Sequence, residues 1–283
     1  MTQVLLSLGH GYSARALTRS LPPGWQVIGT TRSAERATIL AAEGVEALVW
    51  PGADLGPALA RATHLLSSVA PDDAGDPVLR ALAPQLAAAR LEWVGYLSTT
   101  GVYGDHRGGR VDEQTPLTPS TRRGQARLRA EAAWQALGLP LHIFRLAGIY
   151  GPGRGPFAKL RAGTARRIVK PGQVFSRIHV EDIAQVLAAS IAHPRPGAIY
   201  NVCDDDPAPP EDVIAHAARL LGLAPPPEED FATADLTPLA RSFYAESKRV
   251  LNHRLKAELG VSLRYPTYRE GLAALLAQED TAR

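Results

Sequence analysis

Gly9-His10-Gly11-Tyr12-Ser13-Ala14 follows the apolar run Val4 to Leu8 without a spacer and opens an amphipathic stretch from Ser13 to Leu21. A strand, a glycine turn and a helix in that order make a cradle for phosphate. Gly9 permits the tight turn, Gly11 lets backbone N–H groups approach an anion, and the small Ala14 lets the helix lie close on the strand. Six such residues without their flanking elements carry little information. Flanked this way, they predict a chain that begins with a dinucleotide-binding βαβ unit.

Beyond the turn the chain keeps alternating apolar runs with helical patterns. Gln26 to Thr30, Ala47 to Trp50, His64 to Val69, Trp93 to Ser98 and His142 to Leu146 read as strands, and Ala34 to Gly44, Pro77 to Ala89 and Gln125 to Leu137 as helices. Short apolar strands joined by crossover helices are buried on both faces, so residues 1-152 are expected to fold as an α/β domain with a doubly wound, Rossmann-type parallel sheet. After Gly151 the texture changes to a Gly153 to Gly155 loop, a helix from Asp182 to His193, a strand from Ala198 to Val202 and proline breaks at Pro207 to Pro210 and Pro225 to Pro227. Glu211 to Leu221 and Glu270 to Gln278 are amphipathic helix patterns. Residues 153-283 are expected to form mainly a small C-terminal α+β cap over a substrate, with 176-202 returning to the sheet. Asp204 to Asp206 lacks the glycine and distal glutamate of a calcium loop and reads as a turn, so no metal site is expected.

The acidic residue that would accept hydrogen bonds from the adenosine ribose of NAD is missing at the end of the second strand, where Thr30-Thr31-Arg32-Ser33 stands. Arg32, with Ser33 and Arg36 beside it, suits a 2′-phosphate, which favours NADP while leaving NAD open. Ser67-Ser68-Val69 ends the fourth strand at the same carboxyl edge. The expected cofactor-binding set is therefore Gly9, Gly11, Tyr12, Ser13, Arg32, Ser33, Ser68 and Val69. His10 lies within the turn as a variable position.

Composition limits the partners. The 283 residues are 45% hydrophobic and 21% charged, and 31 Lys plus Arg against 28 Asp plus Glu leaves only +3, so a nucleic-acid partner is not expected. No apolar run is long enough for a membrane span, and Met1-Thr2-Gln3 leads into a strand without a basic leader. The single Cys203 excludes an internal disulfide and is expected to be a small core residue in a cytoplasmic protein.

Three further segments complete a pattern: Leu97-Ser98-Thr99-Thr100-Gly101-Val102-Tyr103-Gly104-Asp105, Phe144-Arg145-Leu146-Ala147-Gly148-Ile149-Tyr150-Gly151-Pro152-Gly153, and Arg177-Ile178-His179-Val180-Glu181-Asp182-Ile183-Ala184. With the glycine turn and the ending Leu259-Gly260 through Leu272, the chain resembles the extended short-chain dehydrogenase/reductases, and in particular the bacterial epimerase/dehydratase type. The resemblance implies a nicotinamide cofactor and an enzyme whose tyrosine and lysine, four residues apart on one helix face, manage the proton.

Here the chain departs from the pattern. The segment Pro119-Ser120-Thr121-Arg122-Arg123-Gly124-Gln125-Ala126-Arg127 places Arg123 at the tyrosine position and Arg127 at the lysine position, and no lysine precedes Lys159. A guanidinium binds anions but does not exchange a proton near neutral pH. The chain therefore resembles the atypical branch of that superfamily. Arg127 remains able to donate to a ribose. Thr99 and Tyr103 are the expected catalytic hydroxyls, and Arg123, Arg154, Arg177 and His179 the expected substrate contacts. Tyr244-Ala245-Glu246-Ser247-Lys248 matches the missing spacing but falls beyond the sheet, and is expected to be unrelated to the site.

Two functions fit these residues. One is an NADP-dependent oxidoreductase, or an epimerase or dehydratase that oxidises transiently, acting on a small, anionic molecule. The other is a non-catalytic NADP(H) sensor or regulatory module, which the missing pair favours and a cap of more than a hundred residues disfavours. Extended relatives pair through two helices, so Pro77 to Ala89 and Gln125 to Leu137 are the expected faces of a homodimer.

Overall fold

Val4–Leu8 (β1) is buried along its whole length, and its side chains divide between two cores. Leu5 packs with Ala14 and Leu17, whereas Val4, Leu6 and Leu8 pack with Val78, Leu82 and Leu86. A strand with apolar residues facing both ways needs cover on both sides, which is what parallel sheets receive from their crossover helices. In this computed structural model, which describes residues 2–281, the sheet also contains β2 (Gln26–Thr31), β3 (Glu46–Val49), β4 (His64–Ser67), β5 (Trp93–Thr99), β6 (Leu141–Leu146) and β7 (Ile199–Val202).

All neighbours are parallel, in the order β7-β6-β5-β4-β1-β2-β3. The chain first moves outward from β1 to β3, then returns to β4 and moves the other way. The loops after β1 and β4 diverge at this switch point, where doubly wound sheets open a crevice. Helices α1 (Tyr12–Ser20) and α5 (Val180–Ala192) pack together on one face, and α3 (Pro77–Ala88) and α4 (Arg122–Gln135) contribute to the core on the other. Between α1 and α3, α2 (Ala34–Ala42) starts at an N-cap serine, Ser33, which accepts from Arg36 N at 3.3 Å.

The two cores are fastened by polar groups that satisfy buried aromatics. Trp93 Nε1 donates to Ser190 Oγ at 3.0 Å, and Trp134 Nε1 donates to Asp76 Oδ2 at 2.9 Å while the other Asp76 oxygen caps α3. Under the end of β5 the Glu131 carboxylate accepts from Arg145 Nη2 at 2.8 Å and from Ser98 Oγ, both charged side chains being 3% exposed. This ion pair ties α4 to β6.

The cap has its own core of Tyr150, Phe157, Ala217, Tyr268 and Leu272. It is built from the parallel pair Gly148–Tyr150 and Arg177–His179 together with α6 (Pro210–Leu220), α7 (Pro238–Phe243) and α8 (Tyr268–Thr281). Cys203 is buried as expected, donating to Val250 O at 3.2 Å. Among the described residues no group of His, Cys, Asp and Glu could hold a metal, and no helix is long and apolar enough to cross a membrane.

Candidate active site at the carboxyl edge of the sheet

The glycine turn sits at the switch point. Gly9 has φ +75°, and a Cβ there would press on Val69 Cγ2 at 3.1 Å and Ser68 Oγ at 3.3 Å. Thr30 Oγ1 accepts from Gly9 N at 2.8 Å, and Ser68 Oγ donates to Gly9 O, so the ends of β2 and β4 grip the turn. Gly11 is the N-cap of α1, and no side chain caps that helix. The first N–H groups of α1 thus face the crevice without an internal partner, and a Cβ on Gly11 would meet only Gly9 O at 3.7 Å. An open, uncapped cradle of this kind fits a dinucleotide pyrophosphate. Arg32 and Ser33 lie exposed at the end of β2, with Arg36 one helical turn further on.

Arg154, expected as a substrate contact, is at the turn and not among the residues lining the cavity described below. Its guanidinium lies 4.3 Å from the centre of the Tyr12 ring, and Tyr12 Oη donates to Pro152 O at 2.9 Å. The Gly151 to Arg154 loop thereby folds over the start of α1.

A cavity of about 800 Å³ opens between the ends of β5 and β6 and the cap. Thr99, Arg123, Arg127 and Arg177 all line it, so four of the residues singled out by sequence converge. Thr99 Oγ1 accepts from Gly101 N at 3.1 Å, which holds the turn after β5 and leaves its hydroxyl proton free to be donated. Arg127 is drawn toward the sheet, its Nη1 donating to Tyr96 Oη at 3.0 Å and Leu97 O at 2.9 Å. Arg123, where the resemblance calls for tyrosine, stands 4.9 Å from the centre of the Phe243 ring and donates to Ser242 Oγ at 3.2 Å, so it meets the cap helix α7.

Besides Arg154, two more expected residues are elsewhere. Tyr103 is fully buried, donating to Asn201 Oδ1 at 2.6 Å and accepting from Arg145 Nη1 at 3.0 Å; burial pushes its phenol up to about 12 against the pull of Arg145. It does not line the cavity. His179 is also fully buried, where it caps α5 by accepting from Glu181 N at 3.2 Å through Nδ1. Its ring lies edge-on to Tyr150, and burial lowers its pKa to about 4. Burial keeps both side chains out of the cavity lining.

The segment Tyr244 to Lys248, expected to lie away from the site, forms part of the cavity wall. Lys248 is fixed there by Gly104 O at 2.6 Å and Glu246 Oε2 at 2.7 Å, and Glu246 also accepts from Ser120 Oγ at 2.8 Å. Tyr244 stacks on Phe231 with ring centres 5.0 Å apart and meets Phe175 edge-on at 5.5 Å. The Tyr-x-x-x-Lys spacing was visible in the sequence. What could not be read is that the cap folds back over α4 and brings the segment to the cavity.

Residues 77–203 match the model of the NAD dependent epimerase/dehydratase family. A Methylobacillus flagellatus protein structure assigned by name to the NAD-dependent epimerase/dehydratases is 30% identical, with 99% of each chain covered and a TM-score of 0.74. The chain belongs to the NAD-dependent epimerase/dehydratase family. A structure of a functionally unknown conserved protein from Silicibacter pomeroyi is similar at 63% identity and a TM-score of 0.94, over 99% of this chain and 100% of that one. Protein YeeZ of Escherichia coli K12 is 29% identical over 277 residues, 92% of this chain and 95% of that protein. Family membership agrees with the seven-stranded parallel sheet and with the glycine turn at its switch point.

Proposed function

We propose that the chain binds NADP(H) across the switch point and acts as an oxidoreductase, or an epimerase or dehydratase that oxidises transiently, on a small anionic molecule. One observation carries this reading: the uncapped turn at Gly9 to Ala14 and the arginine-lined cavity open on the same carboxyl edge of one sheet. A bound nicotinamide supplies hydride chemistry, and the protein must position it and handle one proton. In this reading Gly9, Gly11, Tyr12 and Ser13 hold the pyrophosphate with Ser68 and Val69 as backing, Arg32 and Ser33 take the 2′-phosphate, and Arg127 serves the nicotinamide ribose. Arg154, seated on Tyr12, adds positive charge to the pyrophosphate cradle.

Calorimetric titration tests the cofactor assignment. Arg32→Ala is expected to weaken NADPH by roughly 10- to 100-fold, the worth of a charge-assisted phosphate contact, while leaving NADH unchanged. Arg154→Ala should weaken NADPH and NADH alike, since the pyrophosphate is common to both. Equal affinity of wild type for the two nucleotides, unaltered by Arg32→Ala, would overturn the NADP preference.

The sensor reading keeps one specific support, because Arg123 cannot serve as a proton donor. Thr99→Val separates the two functions. For an enzyme it abolishes turnover with NADPH affinity intact. Tyr103→Phe, by contrast, is expected to retain turnover per folded molecule and to lower stability, since it leaves Asn201 and Arg145 short of a buried partner. A Thr99→Val protein with unchanged turnover would exclude this hydroxyl from the chemistry.

A further inference from the structure

The charges around the cavity do not cancel. Arg123, Arg127, Arg177 and Lys248 line it together with one carboxylate, Glu246, which is already paired with Lys248. Arg177 is the most deeply set of the three guanidinium groups. Its Nη1 donates to the carbonyls of Phe175 at 2.8 Å and Ala208 at 3.1 Å, and it takes part in none of the ion pairs among the described residues. The adjacent Asp204 carboxyl, which burial pushes up to about 8 against the pull of Arg177, forms no ion pair with it among the described residues. A half-buried cation that forms no ion pair is favourably placed to receive an anion from the cavity.

The surface next to this charge is aromatic. Phe175 lies with its ring centre 5.9 Å from the Arg177 guanidinium and meets the edge of Tyr244, and Phe243 closes the cavity from α7. Phe243 is 54% exposed and Leu239 on the same helix 58%, so apolar surface is left uncovered at the mouth.

Building on the anionic substrate proposed above, we infer that the cavity takes an aromatic carboxylate, with its carboxylate on Arg177 and its ring against Phe175 and Tyr244. A guanidinium matches a carboxylate as a planar fork, and ring-on-ring contact adds affinity beyond buried area. A nucleotide sugar would leave the aromatic wall facing hydroxyl groups. Inorganic phosphate would leave it bare.

The test is binding of trans-cinnamate and of its methyl ester, measured by calorimetry on wild type with and without saturating NADPH. The acid is expected to bind at least tenfold more tightly than the ester. Cyclohexanecarboxylate should fall between them, and UDP-glucuronate and phosphate should bind more weakly than cinnamate. Arg177→Gln should erase the acid-over-ester difference, and Arg177→Lys should restore part of it, with NADPH affinity unchanged in both. Equal binding of acid and ester, or tighter binding of UDP-glucuronate than cinnamate, would overturn the inference. The comparison on wild type holds even if the Arg177 variants fold poorly. Absence of NADPH binding would instead remove the cofactor assignment, and the acid and ester titrations without nucleotide would still decide the cavity's preference.

Discussion

Glu131→Ala is expected to lower the unfolding free energy by about 3–5 kcal/mol, read as a shift of the urea midpoint at constant slope. Glu131 and Arg145 are each 3% exposed, and Arg145 reaches Glu131 through both Nε at 3.2 Å and Nη2 at 2.8 Å. Removing the carboxylate leaves a guanidinium buried with only Tyr103 Oη as a hydrogen-bond acceptor and strips Ser98 of its own acceptor. The asymmetry is the argument: pair formation contributes little net energy, because both ions lose water, but breaking the pair exposes the full cost of the survivor. The double variant Glu131→Leu with Arg145→Met should therefore be more stable than Glu131→Ala alone. A loss below 1 kcal/mol in Glu131→Ala would mean that water reaches Arg145 and that the network is not closed. The consequence extends to function, since Glu131 lies one helical turn beyond Arg127 on α4 and the same network fixes the end of β5 that carries Thr99.

Asp204→Asn is expected to stabilise the protein, and to do so more at pH 7.5 than at pH 5.5. The Asp204 side chain is 1% exposed, its Oδ2 has no partner, and burial raises its pKa from 3.8 to about 8. Between those values the folded state holds a proton that the unfolded state has released. Stability therefore falls as pH rises through this window, by up to about 1.4 kcal/mol per unit. Asparagine has no such proton to retain, and the variant's advantage should grow by about 2–3 kcal/mol over those two pH units. His10 and His179 act with the opposite sign. Burial lowers each from 6.5 to about 4, so the unfolded state binds more protons between those values and stability is lost as pH falls below 6.5. Taken by themselves, these three groups balance near pH 6.5. Thermal or urea unfolding from pH 5 to 8.5 checks both limbs, and parallel profiles for wild type and Asp204→Asn would remove Asp204 as the source of the alkaline one.

What could be read before folding was local. The turn at Gly9 to Ala14 announces itself because its glycines, its strand and its helix are contiguous, and the parallel sheet because apolar runs and helical patterns alternate within some 150 residues. The placing of Arg123 and Arg127 where the resemblance calls for tyrosine and lysine is equally local, resting on residue identity and one helical turn of spacing. Element ends were legible to within one or two residues at α1, where Ser13 to Leu21 was expected and Tyr12–Ser20 is found, and at α5, where the expected start Asp182 gives way to Val180 behind its His179 cap.

Contacts between distant segments were decided only by the tertiary structure. Tyr103 and Asn201 are 98 residues apart, and their hydrogen bond turns an expected catalytic hydroxyl into a core strut. Arg154 meets Tyr12 through the loop that follows the Gly148–Tyr150 strand, and Tyr244 reaches the cavity because the cap folds back across α4. No spacing rule encodes such meetings: burial and pairing depend on how two separately determined surfaces pack, and a side chain's chemistry follows from what that packing leaves exposed. The sequence by itself thus determined the sheet, the glycine turn at its edge and the arginines that stand where the resemblance calls for tyrosine and lysine, whereas packing decided which of the hydroxyls and cations face the cavity.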